Sequence, residues 1–141
     1  KDGKGLYPVA VKYSEDLHSI GQFVQEGTPV LFETFLDIEN PDEELILEAD
    51  DVDDGFDYLN GADLREVNRA AFLATFQAHS ERLPCVRLKI SELNEYSFGQ
   101  LFYFFEFACY LSGSMLGVNP FNQPGVENYK GYMFQALGKH K

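Results

Sequence analysis

Residues Leu31 to Glu39, LFETFLDIE, put Phe32, Thr34, Leu36 and Ile38 on one face of an extended chain. Glu33, Asp37 and Glu39 fall on the other face, with Leu31 and Phe35. Period-two alternation of this kind marks a strand with one face in a core. A second such run starts at Pro84, where Val86, Leu88 and Ile90 alternate with Arg87 and Lys89. Between the two, Ala62 to Ser80 steps by three and four through Leu64, Val67, Ala71, Ala74 and Ala78. That is a helical stripe, and its small residues suit close packing against another element. Strands that alternate with helices point to an α/β architecture, layered α/β/α around a mainly parallel sheet.

The remaining elements follow from turn and cap chemistry. Tyr7 to Lys12 (YPVAVK) reads as a short strand with Pro8 near its start. Ser14 to Gly27 reads as a helix that Ser14 or Asp16 can cap and Gly27 can end, with Leu17, Ile20 and Val24 on one face. Asn40-Pro41-Asp42 closes the first strand, and Leu45 to Leu47 is a short strand or an ordered loop. An acidic connection from Asp50 to Gly61 leads into the Ala62–Ser80 helix. A long helix is expected from about Ser97 to Leu116. A last helix has Pro124 in its first turn and ends near Gly138.

A chain of 141 residues fits one domain, residues 1–141, and 45% apolar content gives it a core to bury. The net charge of −12 disfavours nucleic acid and anionic lipid as partners. Nine of the acids fall between Asp42 and Asp57, so the total describes one region more than the whole. Cys85 and Cys109 form no C-x-x-C pair and sit in apolar surroundings, as buried free thiols of a cytoplasmic protein do. The stretch from Leu101 to Val118 has the length of a membrane span and carries only Glu106 as a charge. Glu106 lies inside it, Gly113 interrupts it and no positive flank anchors it, so the reading is a helix buried on several sides of a soluble core. The chain opens at Lys1 with no signal-like segment, as an excised domain would.

Several site chemistries are excluded. Aligning Gly55 to the glycine of a calcium loop puts Val52 at a ligand position and Gly61 where the bidentate acid belongs. His18, His79 and His140 form no zinc-type pair, and neither a nucleophile elbow nor a P-loop is present. No metal and no cofactor are expected.

Two polar constellations remain. Spacings of four and three put Gln123, Glu127 and Lys130 along one face of the last helix. His18 lies near the start of the Ser14–Gly27 helix, where the positive end of the dipole favours a neutral imidazole able to relay a proton. Taken by residue type alone, each of these side chains is an ordinary surface group.

Gly113-x-Met115-Leu116, then Phe121-Asn122-Gln123-x-Gly125-Val126-Glu127-x-x-Lys130, resembles the C-terminal signature of the glucose-6-phosphate isomerase family at ten positions over eighteen residues. Glu15-Asp16-Leu17-His18-Ser19, with Gly21-Gln22 and Gln25-Glu26-Gly27 behind it, is similar to the segment carrying the catalytic histidine in bacterial members. Leu31 to Thr34 and Leu101 to Glu106 also look familial, so the resemblance covers nearly the whole chain.

The resemblance implies a sugar-isomerase-type domain, the second of its enzyme and incomplete relative to it. It implies metal-free interconversion of glucose 6-phosphate and fructose 6-phosphate. Lys130 and His18 would open the sugar ring, Gln123 would contact the sugar phosphate and Glu127 would support Lys130 or Gln123. A carboxylate that moves the proton through a cis-enediol lies upstream of the histidine in the family, ahead of Lys1 here. The resemblance therefore implies a homodimer as the working enzyme and no activity for this chain by itself. The alternative is a non-catalytic sugar-phosphate-binding module.

Overall fold

A computed structural model describes residues 1–41 and 43–139. The architecture is α/β. The elements run α1 (Tyr13–Asp16), a π-helical turn (Leu17–Gly21), α2 (Gln22–Glu26), β1 (Glu33–Asn40), a 3₁₀ turn (Asp57–Leu59), α3 (Leu64–Ser80), β2 (Cys85–Glu92), α4 (Glu95–Met115) and α5 (Pro124–Ala136). The chain divides into two compact units. One holds Val9–Gly99, and the other holds Lys1–Pro8 with the chain from Gln100 onward.

In the Val9–Gly99 unit β1 and β2 pair in parallel, with Glu33 opposite Cys85, Phe35 opposite Arg87 and Asp37 opposite Lys89. The crossover between them carries α3, as a parallel pair requires. Asp63 caps α3 by accepting the Arg65 backbone N–H at 2.9 Å. Asn94 does the same for α4, accepting from the Ser97 N–H at 2.8 Å.

The covered face of this ribbon is the one with the charges. Phe35 and Asp37 are buried, whereas Leu36, Ile38 and Val86 on the opposite face are 45%, 36% and 55% exposed. The α3 stripe facing the strands is correspondingly Arg69, Phe72, Phe76 and His79, while Ala71, Ala74 and Ala78 are exposed. The cause lies in the pairing. Phe35 centres a ring cluster, with Phe76 at 5.2 Å, Phe72 at 5.8 Å, His79 at 6.0 Å and Tyr13 at 6.1 Å between centroids. Asp37, 2% exposed, accepts from both Arg69 and Arg87. Both guanidinium groups also lie over the Phe72 ring, at 5.5 and 5.8 Å. A buried carboxylate with two guanidinium partners is tolerable where a lone one is not.

Other expectations are corrected. Tyr7 to Lys12 forms no strand: Tyr7 is 89% exposed, and no other described segment pairs with this one. Of the two readings of Leu45 to Leu47 the ordered loop holds, with Ile46 in a single antiparallel bridge to Asp63. Two strands are described where the alternation suggested three or four. The close of β1 at Asn40-Pro41 is seen, and Asp42 and His140 lie outside the described residues. Both thiols are free, but Cys85 is half-buried and Cys109 exposed rather than buried.

In the other unit α4 runs through Gly113 without a break, and the missing side chain there lets Pro120 approach; a Cβ would sit 3.1 Å from the proline ring. Both helices end in the same way. The N–H of Gly117 meets Ser114 O and that of Val118 meets Gly113 O, while Gly138 and Lys139 repeat the pattern on Gln135 and Phe134. With φ of +69° at Gly117 and Gly138, these are Schellman caps. The expected burial of α4 on several sides is not observed: Phe102, Tyr103, Phe104, Phe105 and Phe107 are 46–66% exposed. No helix among the described residues is long and apolar enough to cross a membrane.

Candidate functional site

His18 lies on the π-helical turn, not in the first turn of a helix. The helical run starts at Tyr13 after Lys12, so the helix-start position expected for His18 does not hold. The turn is widened by one residue, with the Gln22 N–H reaching Leu17 O. Single π turns of this kind occur frequently at functional sites. His18 itself is exposed. Gly21, at the end of the turn, is buried. A Cβ there would stand 3.1 Å from Leu17 Cδ1, so that side chain would have to give by a few tenths of an ångström, and at an ordinary contact distance of 3.7 Å from Tyr13 Cδ1. Gly27 ends the run with extended backbone, not a left-handed one.

Beneath this turn lies a cluster that sequence reasoning missed. Glu33 accepts from the Tyr13 hydroxyl through Oε1 and lies 2.8 Å from His79 Nδ1 through Oε2. Cys85 Sγ stands 3.9 Å from the same oxygen. A carboxylate can only accept, so Nδ1 of His79 carries the hydrogen. His79 is 2% exposed, with its ring edge-on to Tyr13 at 4.9 Å. Burial, then the Glu33 carboxylate, pushes the Tyr13 phenol well above its ordinary value and keeps it a donor. Burial likewise raises the Cys85 thiol. The one available signal was that His79 follows Phe72 and Phe76 at helical spacing. Its partner lies 46 residues away, which no local pattern reports.

Gln123, Glu127 and Lys130 belong to the other unit. Gln123 is not on the α5 face. It occupies the cap position with φ −133° and ψ 62°, ahead of Pro124, which disfavours helical backbone in the residue before it. Glu127 and Lys130 do lie together, with Glu127 Oε1 2.7 Å from Lys130 Nζ. Both are substantially exposed, so the contact orients more than it stabilises. The loop ahead of α5 is held by Asn119, which accepts from the Phe121 N–H, and by Lys1, which donates to Asn122. The Phe121 ring lies 5.6 Å from that of Tyr110. The signature residues thus build one turn and its helix start.

Aligned over 141 residues, the chain is 48% identical to glucose-6-phosphate isomerase of Leptospira biflexa, 50% to that of Clostridium perfringens and 52% to that of Staphylococcus haemolyticus. The chain is a part-length relative of glucose-6-phosphate isomerase. It spans 31–32% of the length of those isomerases, which align with 99% of this chain. No family model matches it. Among solved structures, a hypothetical protein from Thermus thermophilus superposes with a TM-score of 0.82 at 27% identity, over 87% of this chain and 30% of that one. The isomerase kinship therefore takes in the His18 turn, the Glu33 cluster and the α4–α5 turn together.

Proposed function

We propose that the chain is the C-terminal sugar-isomerase-type domain of a glucose-6-phosphate isomerase, acting on a sugar phosphate within a homodimeric, cytoplasmic full-length protein. The observation carrying this reading is near-50% identity, sustained over 99% of the chain, to proteins of that name. His18 and Lys130 open the sugar ring as an acid–base pair, one donating to the ring oxygen and the other taking the hydroxyl proton. Glu127 supports Lys130, and its carboxylate 2.7 Å away holds the ammonium in place. Gln123, at the start of α5, contacts the phosphate. The proton moves between C2 and C1 through a cis-enediol on a carboxylate from the remainder of the full-length protein.

The test is fructose 6-phosphate isomerisation by the full-length protein beside its Lys130→Ala and His18→Ala variants. General acid–base groups contribute roughly 10²–10⁴-fold, so each variant is expected to lose kcat on that scale. An active parent with unaffected variants would overturn the residue roles while keeping the reaction. The 141-residue chain alone is expected to show no turnover.

A further inference from the structure

We propose that Glu33 is a positioning residue for His18, acting through Tyr13 on the π-helical turn. The inference rests on the acid–base reading of His18 given above.

Glu33 is 15% exposed, and both of its carboxylate oxygens are engaged. One takes the Tyr13 hydroxyl, and the other takes the buried His79 ring. His79 is fixed in turn by its edge-on contacts with Tyr13 and Phe35, so the carboxylate has no free direction in which to swing. Tyr13 is therefore held at its hydroxyl end from β1 and at its ring by Phe35 and His79.

Tyr13 begins the helical run that leads into the His18 turn, and its ring stands 3.7 Å from where a Cβ on Gly21, the residue that closes the π turn, would lie. A widened turn has poorer hydrogen-bond geometry than the α-helix on either side, and it persists where neighbouring structure holds it. Val24, 3% exposed, anchors the run one turn further on. Glu33 is thus the polar link between the sheet and the turn from which His18 projects. Loss of that link frees the turn to relax toward ordinary α-helix and carries the imidazole off its aim. A misplacement of about 1 Å at a reacting group can cost roughly 10²-fold.

The experiment is a double-mutant cycle in the full-length protein, read as kcat and KM for fructose 6-phosphate. Glu33→Gln keeps the size of the side chain but offers one acceptor where two donors arrive. It is expected to lower kcat by about tenfold with KM little changed, in line with a small displacement of an acid–base group. The decisive reading is the His18→Ala background, where the further effect of Glu33→Gln on kcat is expected to vanish. An equal loss in both backgrounds, or no loss in either, overturns the proposal. If Glu33→Gln does not fold, Tyr13→Phe replaces it in the same cycle. That variant keeps the ring on Gly21 and removes only the hydroxyl, and the same two outcomes decide. A His18→Ala protein with undiminished kcat would overturn the acid–base reading itself. That result is distinct from a slow His18→Ala protein in which Glu33→Gln adds its full loss, where only the positioning role falls.

Discussion

The two faces of the β1–β2 ribbon are built from the same strands and meet opposite fates. One carries Glu33, Phe35, Asp37, Cys85 and Arg87, and lies under α3 with Phe35 and Asp37 buried. The other carries Thr34, Leu36, Ile38, Val86, Leu88 and Ile90, and stands open to solvent at Leu36 and Val86. Apolar content would rank them the other way. The difference teaches that what covers a face decides its burial, and that charges are no bar when the covering helix brings their partners. α3 brings Arg69 and His79 together with two phenylalanines, so it matches the mixed face and not the plain one.

The largest expected effect breaks the covered face at its centre. Phe35→Ala removes the ring that four others contact and is expected to cost about 4 kcal/mol in urea denaturation. Next is Asp37→Asn, which leaves two guanidinium groups without their shared carboxylate and is expected to cost about 3 kcal/mol by the same assay. On the open face, Leu36→Ala should cost under about 1 kcal/mol, because a half-exposed side chain gives up little buried area. A loss as large as that of Phe35→Ala would end the comparison. The open face and the exposed rings of α4 are also expected to drive self-association, seen as a concentration-dependent sedimentation coefficient that Leu36→Lys lowers.

The smallest effect is in alkali. The folded chain keeps the Tyr13 proton where an unfolded chain has lost it, because burial and Glu33 raise the phenol. Stability from this group is whole below the ordinary tyrosine value of 10.0 and declines as pH rises beyond it. The urea midpoint should therefore fall less steeply above about pH 10 in Tyr13→Phe than in the parent. Cys85, raised from 9.0 by burial, adds a decline of the same sign to both proteins.

Local features were legible in the sequence, and long-range pairings were not. The positions of β1, α3, β2, α4 and α5 follow from periodicity, caps and the Pro124 and Gly138 signals, because each is decided within a few residues. The orientation of the ribbon was not legible, since Asp37 finds its arginines 32 and 50 residues away. The strand expected at Tyr7 to Lys12 failed for a related reason: a β-prone run is a strand only if another segment pairs with it. At the site, the contact of Glu127 with Lys130 is a helical i,i+3 spacing that the sequence states outright. Gln123 was placed one position too far in, although Pro124 already marked the boundary. The link from Glu33 to His79 and the widened turn at His18 leave no local signature, and only the fold exposes them.

One surplus residue separates the Leu17–Gly21 turn from an unbroken α-helix. Deleting a residue there would restore regular i+4 bonding and yield a locally more comfortable segment. Because the widened turn already absorbs the extra residue, Tyr13 and Val24 could both keep their present seats after the deletion. What would change is the direction of the side chains inside the turn, His18 among them. For this segment, comfort and aim are rival outcomes. A variant selected for thermal resilience alone would be expected to drift toward the straight helix and lose the imidazole's direction without losing the fold.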